Sequence, residues 1–169
     1  MVEKAERFGG TSAISGGAVW LYGTDQARDA GAKDSPEAMR TYLKQVIGDG
    51  YDPALGDAFI EHGHQALRWL EQNTELRYAL RPLSPDYYPD APGATQFGRA
   101  LEMVEYDGKH LGTRFKDLQM PPPGMLLFGG MMVNRVDIQH FLSIRRSPKS
   151  LWHCPVSYTH LTLPTIYSV

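Results

Sequence analysis

Two stretches of the chain carry apolar residues at helical spacing. In Asp34–Gly50, DSPEAMRTYLKQVIGDG, the residues Met39, Tyr42, Leu43, Val46 and Ile47 fall on one face. Ser35 is placed to cap that helix, Pro36 suits its first turn and Glu37 sits at the positive end of its dipole. Gly48 and Gly50 end it. A second helix follows at once, with Asp52 as cap, Pro53 at its start and Leu55, Phe59, Ala66, Leu67 and Leu70 as the expected buried stripe. Asn73–Leu80 predicts a short strand, His110–Leu118 a short helix and Val133–Ile144 another, with Val133, Val136, Ile138, Phe141 and Leu142 available for burial. Pro121–Gly124, PPPG, is a stiff break, and TDQARDAG, Thr24–Gly31, is a generic helical pattern. Arg81–Met103 has no period and is rich in proline and glycine. Structureless stretches of that length inside a compact chain are usually functional or mis-assigned.

Composition narrows the possibilities. The 169 residues suit one domain, and the hydrophobic share of 42% suffices for a core. Net charge is -2 without a basic stripe, which gives no footprint for nucleic acid. The most apolar window, Gly124–Val133, is too short to span a bilayer. The opening MVEKAERF lacks the apolar region of a signal peptide. Cys154 is the single cysteine, so an internal disulfide and a multi-cysteine metal site are excluded, and a cytoplasmic protein is expected. His62 and His64 point to different faces of a helix, His110 and His140 have no acid at useful spacing, and no metal site is predicted. Ser143–Ser150 reads as a solvated turn.

Both ends are unusual. MVEK reads as the tail of a buried strand too short to stand alone, which implies a missing upstream segment. Val156–Thr165, VSYTHLTLPT, matches one reading frame of the transposase adapter used in shotgun sequencing libraries. The adapter's next codons supply a valine, matching Val169, and then a stop. The expected division is therefore residues 1–154 as the natural segment, cut from a longer gene, and residues 155–169 as an adapter-derived tail.

The distinctive motif is Gly9–Gly17, GGTSAISGG. It has the spacing of neither familiar phosphate loop. Its glycines let backbone amides approach a flat ligand, and Thr11, Ser12 and Ser15 add small hydroxyls. Composition alone fits a flexible linker equally well. The acidic Glu3 ahead of it stands where a second Rossmann strand would end, and is the residue type that grips a ribose hydroxyl.

Glu3 followed by GGTSAISGG resembles the flavoprotein subunits of succinate dehydrogenase and fumarate reductase. GGAVW, then AGAKDSPEAMRTYL, SPDYYPDAPG and GRALEM, resemble the 3-ketosteroid 1-dehydrogenases within that superfamily, over nearly all of Val2–Leu142. The resemblance implies an α/β fold: part of a Rossmann-type FAD-binding domain, mostly helical here, lacking the first strand and phosphate loop. It implies FAD held by Glu3, Gly9, Gly10, Thr11, Ser12, Ser15, Gly16 and Gly17. It places Tyr88, the second tyrosine of DYYP, in the active site, while Tyr87 is expected to pack.

The implied chemistry is desaturation of a steroid A ring, with hydride to flavin N5 and a proton to a tyrosine base. A phenol, with a pKa of about 10, is a poor base unless a second phenol donates a hydrogen bond to its phenolate. Tyr88 is the supporting phenol by family pattern; the base and the donors to the ketone belong to the missing part, so the segment alone is expected to be inactive. The substrate would be a steroid-like lipophilic molecule and the electron acceptor is unknown. Met120, Met125, Met131 and Met132 suit an apolar pocket, or ordinary core filling. One departure is Tyr22, where the family often has proline beside substrate access. Two alternatives stand: another flavin-dependent reductase or desaturase of the superfamily, and a non-catalytic helical interaction module.

Overall fold

The structure, a computed structural model, describes residues 3–104, 106–119 and 135–152. The chain divides into two compact units, Gly17–Val104 and the pair of segments Met1–Gly16 with Glu105–Val169. In the first unit the elements run β1 (Val19–Trp20), α1 (Asp25–Asp29), α2 (Pro36–Ile47), α3 (Pro53–Asn73), β2 (Tyr78–Leu80) and β3 (Ala100–Met103). β3 is the centre of a three-stranded antiparallel sheet, pairing Leu101 with Val19 on one side and with Leu80 on the other.

The helices start where their caps dictate. The Ser35 hydroxyl accepts from the Ala38 N–H at 3.0 Å, and Asp52 Oδ1 accepts from the Ala54 and Leu55 amides at 2.8 and 3.3 Å. Such caps are each worth about 1 kcal/mol. Burial departs from the expected stripes. On α2, Met39 and Tyr42 are buried, but Val46 and Ile47 are exposed. On α3, of the five expected residues only Leu67 is buried, and the inward line is Gly56, Ile60 and Leu67. The reason is close approach: a Cβ on Gly56 would lie 2.3 Å from the Tyr51 hydroxyl, and one on Gly63 would lie 2.9 Å from Leu21. With this glycine-bearing face inward, Leu55 is left exposed, while Phe59, at the edge, stacks its ring on Trp20 at 6.3 Å.

Polar ties join the elements of this unit. Arg68 of α3 grips Asp25 of α1 with two bonds of 2.8 and 2.7 Å. Gln26 Nε2 donates to Glu71 at 3.0 Å and to the Tyr78 carbonyl at 3.2 Å, while the Tyr78 amide donates to Glu71 at 2.9 Å. The Arg68 guanidinium beside Asp25 holds that carboxyl below its ordinary value.

In the second unit, 3-10 turns cover Ser12–Ile14 and Gly108–Asp117, the latter broken at Gly112, and α4 spans Arg135–Leu142. Phe8 forms a parallel bridge with Leu118. Ile138 and Leu142 are exposed rather than buried, and His140 Nδ1 meets the Ser150 hydroxyl at 2.9 Å.

The helix-rich expectation holds, but the sheet is antiparallel, and among the described residues no strand precedes the glycine loop. Residues 4–7 bend instead, because the Glu3 carboxylate accepts from the amides that follow it. Pro121–Gly124, Val133, the four methionines at 120, 125, 131 and 132, Cys154 and the 155–169 tail lie outside the described residues. Among the described residues no helix is long and apolar enough to cross a membrane, and no group of three or more His, Cys, Asp or Glu side chains is placed to hold a metal ion.

Candidate functional site

The glycine loop is pinned at its root. The Phe8 N–H donates to the Asp117 carbonyl at 2.9 Å, and the Phe8 carbonyl accepts from the Gln119 N–H at 2.8 Å. Gly9 follows with φ +110, where an added Cβ would lie 2.6 Å from the Ala13 Cβ and 3.3 Å from Leu118. Only glycine lets the chain turn here and press against buried Ala13. The Ala13 N–H closes the turn on the Gly9 carbonyl at 3.1 Å, and the Ser15 hydroxyl donates to the Ser12 carbonyl at 3.1 Å.

The other side of the loop faces outward. Gly10, Thr11, Ser12, Ser15 and Gly16 are exposed, and a Cβ added at Gly10 or Gly16 would meet nothing within 4 Å. Bare backbone and small hydroxyls therefore form its outer surface, which a flat ring or a pyrophosphate can approach at hydrogen-bonding distance. Glu3, ahead of the loop, bonds its own neighbouring amides. Its Oε1 accepts from the Lys4 and Ala5 amides at 2.7 and 3.0 Å. The Ala5 and Lys4 amides, with a smaller share from Gly9, hold its carboxyl below the ordinary glutamate value. These residues fit an FAD cradle.

Tyr88 belongs to the other unit, as does Gly17. Its loop is closed at the base by the Asp86 N–H donating to the Thr95 carbonyl at 3.0 Å and the Thr95 N–H donating to Asp86 Oδ2 at 2.9 Å. The Tyr88 amide donates to the Tyr42 hydroxyl at 3.2 Å, and the Tyr88 side chain is 61% exposed. Tyr87 does not pack as expected: it is 98% exposed, because the buried member of DYYP is Asp86, at 4%.

Sequence reasoning missed the buried charges beneath this loop. Arg99 is 1% exposed and makes four N–H···O bonds, to both Asp34 oxygens at 2.7 Å, to Asp86 Oδ2 at 2.9 Å and to the Gly93 carbonyl at 2.9 Å. Its guanidinium lies 5.6 Å from the Trp20 ring centroid and 5.5 Å from that of Tyr42. Trp20 Nε1 donates to Asp86 Oδ1 at 2.7 Å. The only signal available was an arginine placed directly before a strand of otherwise apolar character, Ala100–Leu101. Trp20→Phe removes the donor to Asp86 Oδ1 and leaves that oxygen buried and underbonded. Expected is a loss of about 1–3 kcal/mol, read as a lower urea midpoint with unchanged slope.

A cavity of about 240 Å³ opens between Tyr22, Arg28, Asp34, His64 and Gly98. Burial, and then the Asp34 and Glu37 carboxylates, push the Tyr22 phenol above its ordinary pKa. His64 Nδ1 is buried there without a hydrogen-bond partner among the described residues.

An outward-facing loop of glycines and small hydroxyls, rooted on Phe8, suits close approach of a cofactor's phosphates and flat ring. The chain belongs to the FAD-binding domain family, whose match spans residues 1–164. FAD is therefore its cofactor, as the motifs implied.

The chain is 32% identical over 151 residues to the 3-oxosteroid 1-dehydrogenase of Mycobacterium tuberculosis (strain ATCC 25618 / H37Rv), covering 89% of this chain and 26% of that protein. It is 33% identical over 150 residues to the 4-oxocyclohex-2-ene-1-carboxylate 5-dehydrogenase of Sinomonas cyclohexanicum, covering 89% and 25%. The crystal structure of 3-ketosteroid delta1-dehydrogenase from Sterolibacterium denitrificans in complex with 1,4-androstadiene-3,17-dione matches with a TM-score of 0.77 and 32% identity, over 95% of this chain and 28% of that one. The resemblance to the steroid dehydrogenases thus holds. The chain spans about a quarter of the length of these relatives.

Proposed function

We propose that residues 1–154 are one segment of a longer FAD-dependent dehydrogenase that desaturates the A ring of a 3-ketosteroid, and that the segment alone is inactive. The observation that carries this reading is the likeness, over 89% of the chain, to a relative named for that reaction. Gly9, Gly10, Thr11, Ser12, Ser15, Gly16 and Gly17 would hold the cofactor through main-chain amides and hydroxyls, with Glu3 accepting from a ribose hydroxyl. FAD, when bound, supplies the acceptor for the hydride leaving C1 of the steroid. The Tyr88 phenol supports removal of the proton from C2. Its Oη–H donates to the oxygen of a second phenol, the base, and so favours the phenolate that takes the proton. That base and the donors to the 3-keto oxygen belong to the remainder of the polypeptide, and the electron acceptor is unknown.

A second reading has its own support. The Sinomonas cyclohexanicum relative is named for a small cyclic keto acid, and it is as similar as the steroid enzyme. A carboxylate substrate needs a cationic clamp. The other alternative, a non-catalytic helical module, has no support from the family match.

The test is expression of the complete reading frame. It is expected to purify yellow, and its flavin is expected to bleach anaerobically on addition of a 3-ketosteroid, with turnover in a dye-linked assay. A colourless protein that takes up no FAD sinks the proposal. Bleaching by 4-oxocyclohex-2-ene-1-carboxylate and by no steroid transfers it to the second reading.

A further inference from the structure

We propose that Tyr42 is a positioning residue for Tyr88, acting through its hydroxyl on the Tyr88 amide; this rests on the reading of Tyr88 as a site phenol. Tyr42 sits within α2, is 5% exposed and cannot swing. Its ring lies 5.7 Å from Trp20 at 45°, with the Arg99 guanidinium 5.5 Å from its centroid. Its hydroxyl is the group that the Tyr88 N–H meets, at 3.2 Å.

The rest of the loop is anchored elsewhere. Asp86 and Thr95 close its base, the Gly93 carbonyl accepts from Arg99, and the Ala91 N–H donates to the Tyr88 carbonyl at 3.0 Å. None of these anchors the Tyr88 amide. Tyr88 therefore combines a fixed main chain with a phenol that is 61% exposed. With little packing around it, the phenol's reach depends on where its Cα is held. A displacement of about 1 Å at a reacting group is enough to lower a rate some hundredfold. A rigid aromatic inside a helix is a suitable reference point for such a loop. The competing view is that Tyr42 is a core aromatic whose hydroxyl merely satisfies one loop amide.

Tyr42→Phe separates the two, since it keeps the ring and removes only the acceptor. The complete flavoprotein would carry Tyr42→Phe, Tyr88→Phe or both, with steroid turnover, flavin content and melting temperature measured on each. Expected for Tyr42→Phe is a kcat about tenfold lower, with KM changed less than about twofold and flavin content retained. Tyr88→Phe is expected to lose about a hundredfold. The double variant is expected to be no slower than Tyr88→Phe, because two residues acting through one phenol are not additive. Additive losses overturn the proposal, since they mean Tyr42 acts independently of Tyr88. An unchanged kcat in Tyr42→Phe beside a slow Tyr88→Phe overturns it and leaves the reading of Tyr88 intact. A fully active Tyr88→Phe overturns both.

Discussion

Arg99→Met is expected to destabilise the protein by about 3–5 kcal/mol, as for removal of one partner from a buried ion pair. Methionine roughly matches the length of the aliphatic stem, so the loss is chiefly electrostatic. The wild-type guanidinium serves Asp34, Asp86 and the Gly93 carbonyl at 2.7–2.9 Å from a site 1% exposed. Without it, the Asp34 and Asp86 carboxylates lose the cation they share in a largely buried site. Lysine does not restore the site, because a single ammonium cannot bond Asp34 through two parallel N–H groups while also reaching Asp86. Arg99→Lys is therefore expected to recover only part of the loss. Urea unfolding of the three proteins, compared at equal slope, provides the measurement. An Arg99→Met variant within about 1 kcal/mol of wild type would refute the assignment of Arg99 as the clamp of this unit.

Gly93→Ala is the second large effect. Gly93 has φ +80, and an alanine Cβ there would lie 2.1 Å from the Ala38 carbonyl oxygen, 2.9 Å from the Tyr42 nitrogen and 3.1 Å from the Ala38 carbonyl carbon. All three are main-chain atoms of α2 and cannot turn aside as a side-chain tip would. The loop must lift, which breaks the Arg99 bond to the Gly93 carbonyl and carries the Tyr88 amide away from Tyr42. The left-handed backbone alone costs alanine about 1–2 kcal/mol. The clash brings the expected total to about 4 kcal/mol or more, in the range reserved for severe backbone or packing conflicts. Gly31→Ala is the control: φ is +72 there, in the same left-handed region, but a Cβ meets nothing within 4 Å. It is expected to show only the backbone part. Thermal melts of the two variants decide the matter, and equal losses would mean that Gly93 does not press on α2.

How much of this was legible in the sequence depends on whether a residue's role is local. Ser35–Pro36 and Asp52–Pro53 announced the starts of α2 and α3, because a cap acts within four residues of itself. The stripe on α3 was misread because the pattern weighed apolar side chains, whereas Gly56 and Gly63 decide which face comes close. β1 and β3 are two and four residues long, too short to show an alternation, and they pair across most of the unit. Arg81–Met103 consequently read as irregular although it ends in the central strand.

Charge was equally opaque. Asp34, Asp86 and Arg99 look like surface residues in a list, and only their convergence removes them from water. The glycine loop was legible because left-handed backbone leaves a compositional trace, as at Gly9, Gly10 and Gly17. The role proposed for Tyr88 was not: without the family resemblance, nothing in the sequence distinguishes it from its neighbour Tyr87.

The bridge between Phe8 and Leu118 has a consequence for the order of assembly. The ribosome releases GGTSAISGG about a hundred residues before Asp117–Gln119, the segment that roots this loop. By then Arg99 and all the partners it clamps have already left the exit tunnel. The nascent chain therefore carries an unrooted glycine loop while those intervening residues are made, and a polypeptide stalled before Asp117 would lack the carbonyl that Phe8 bonds.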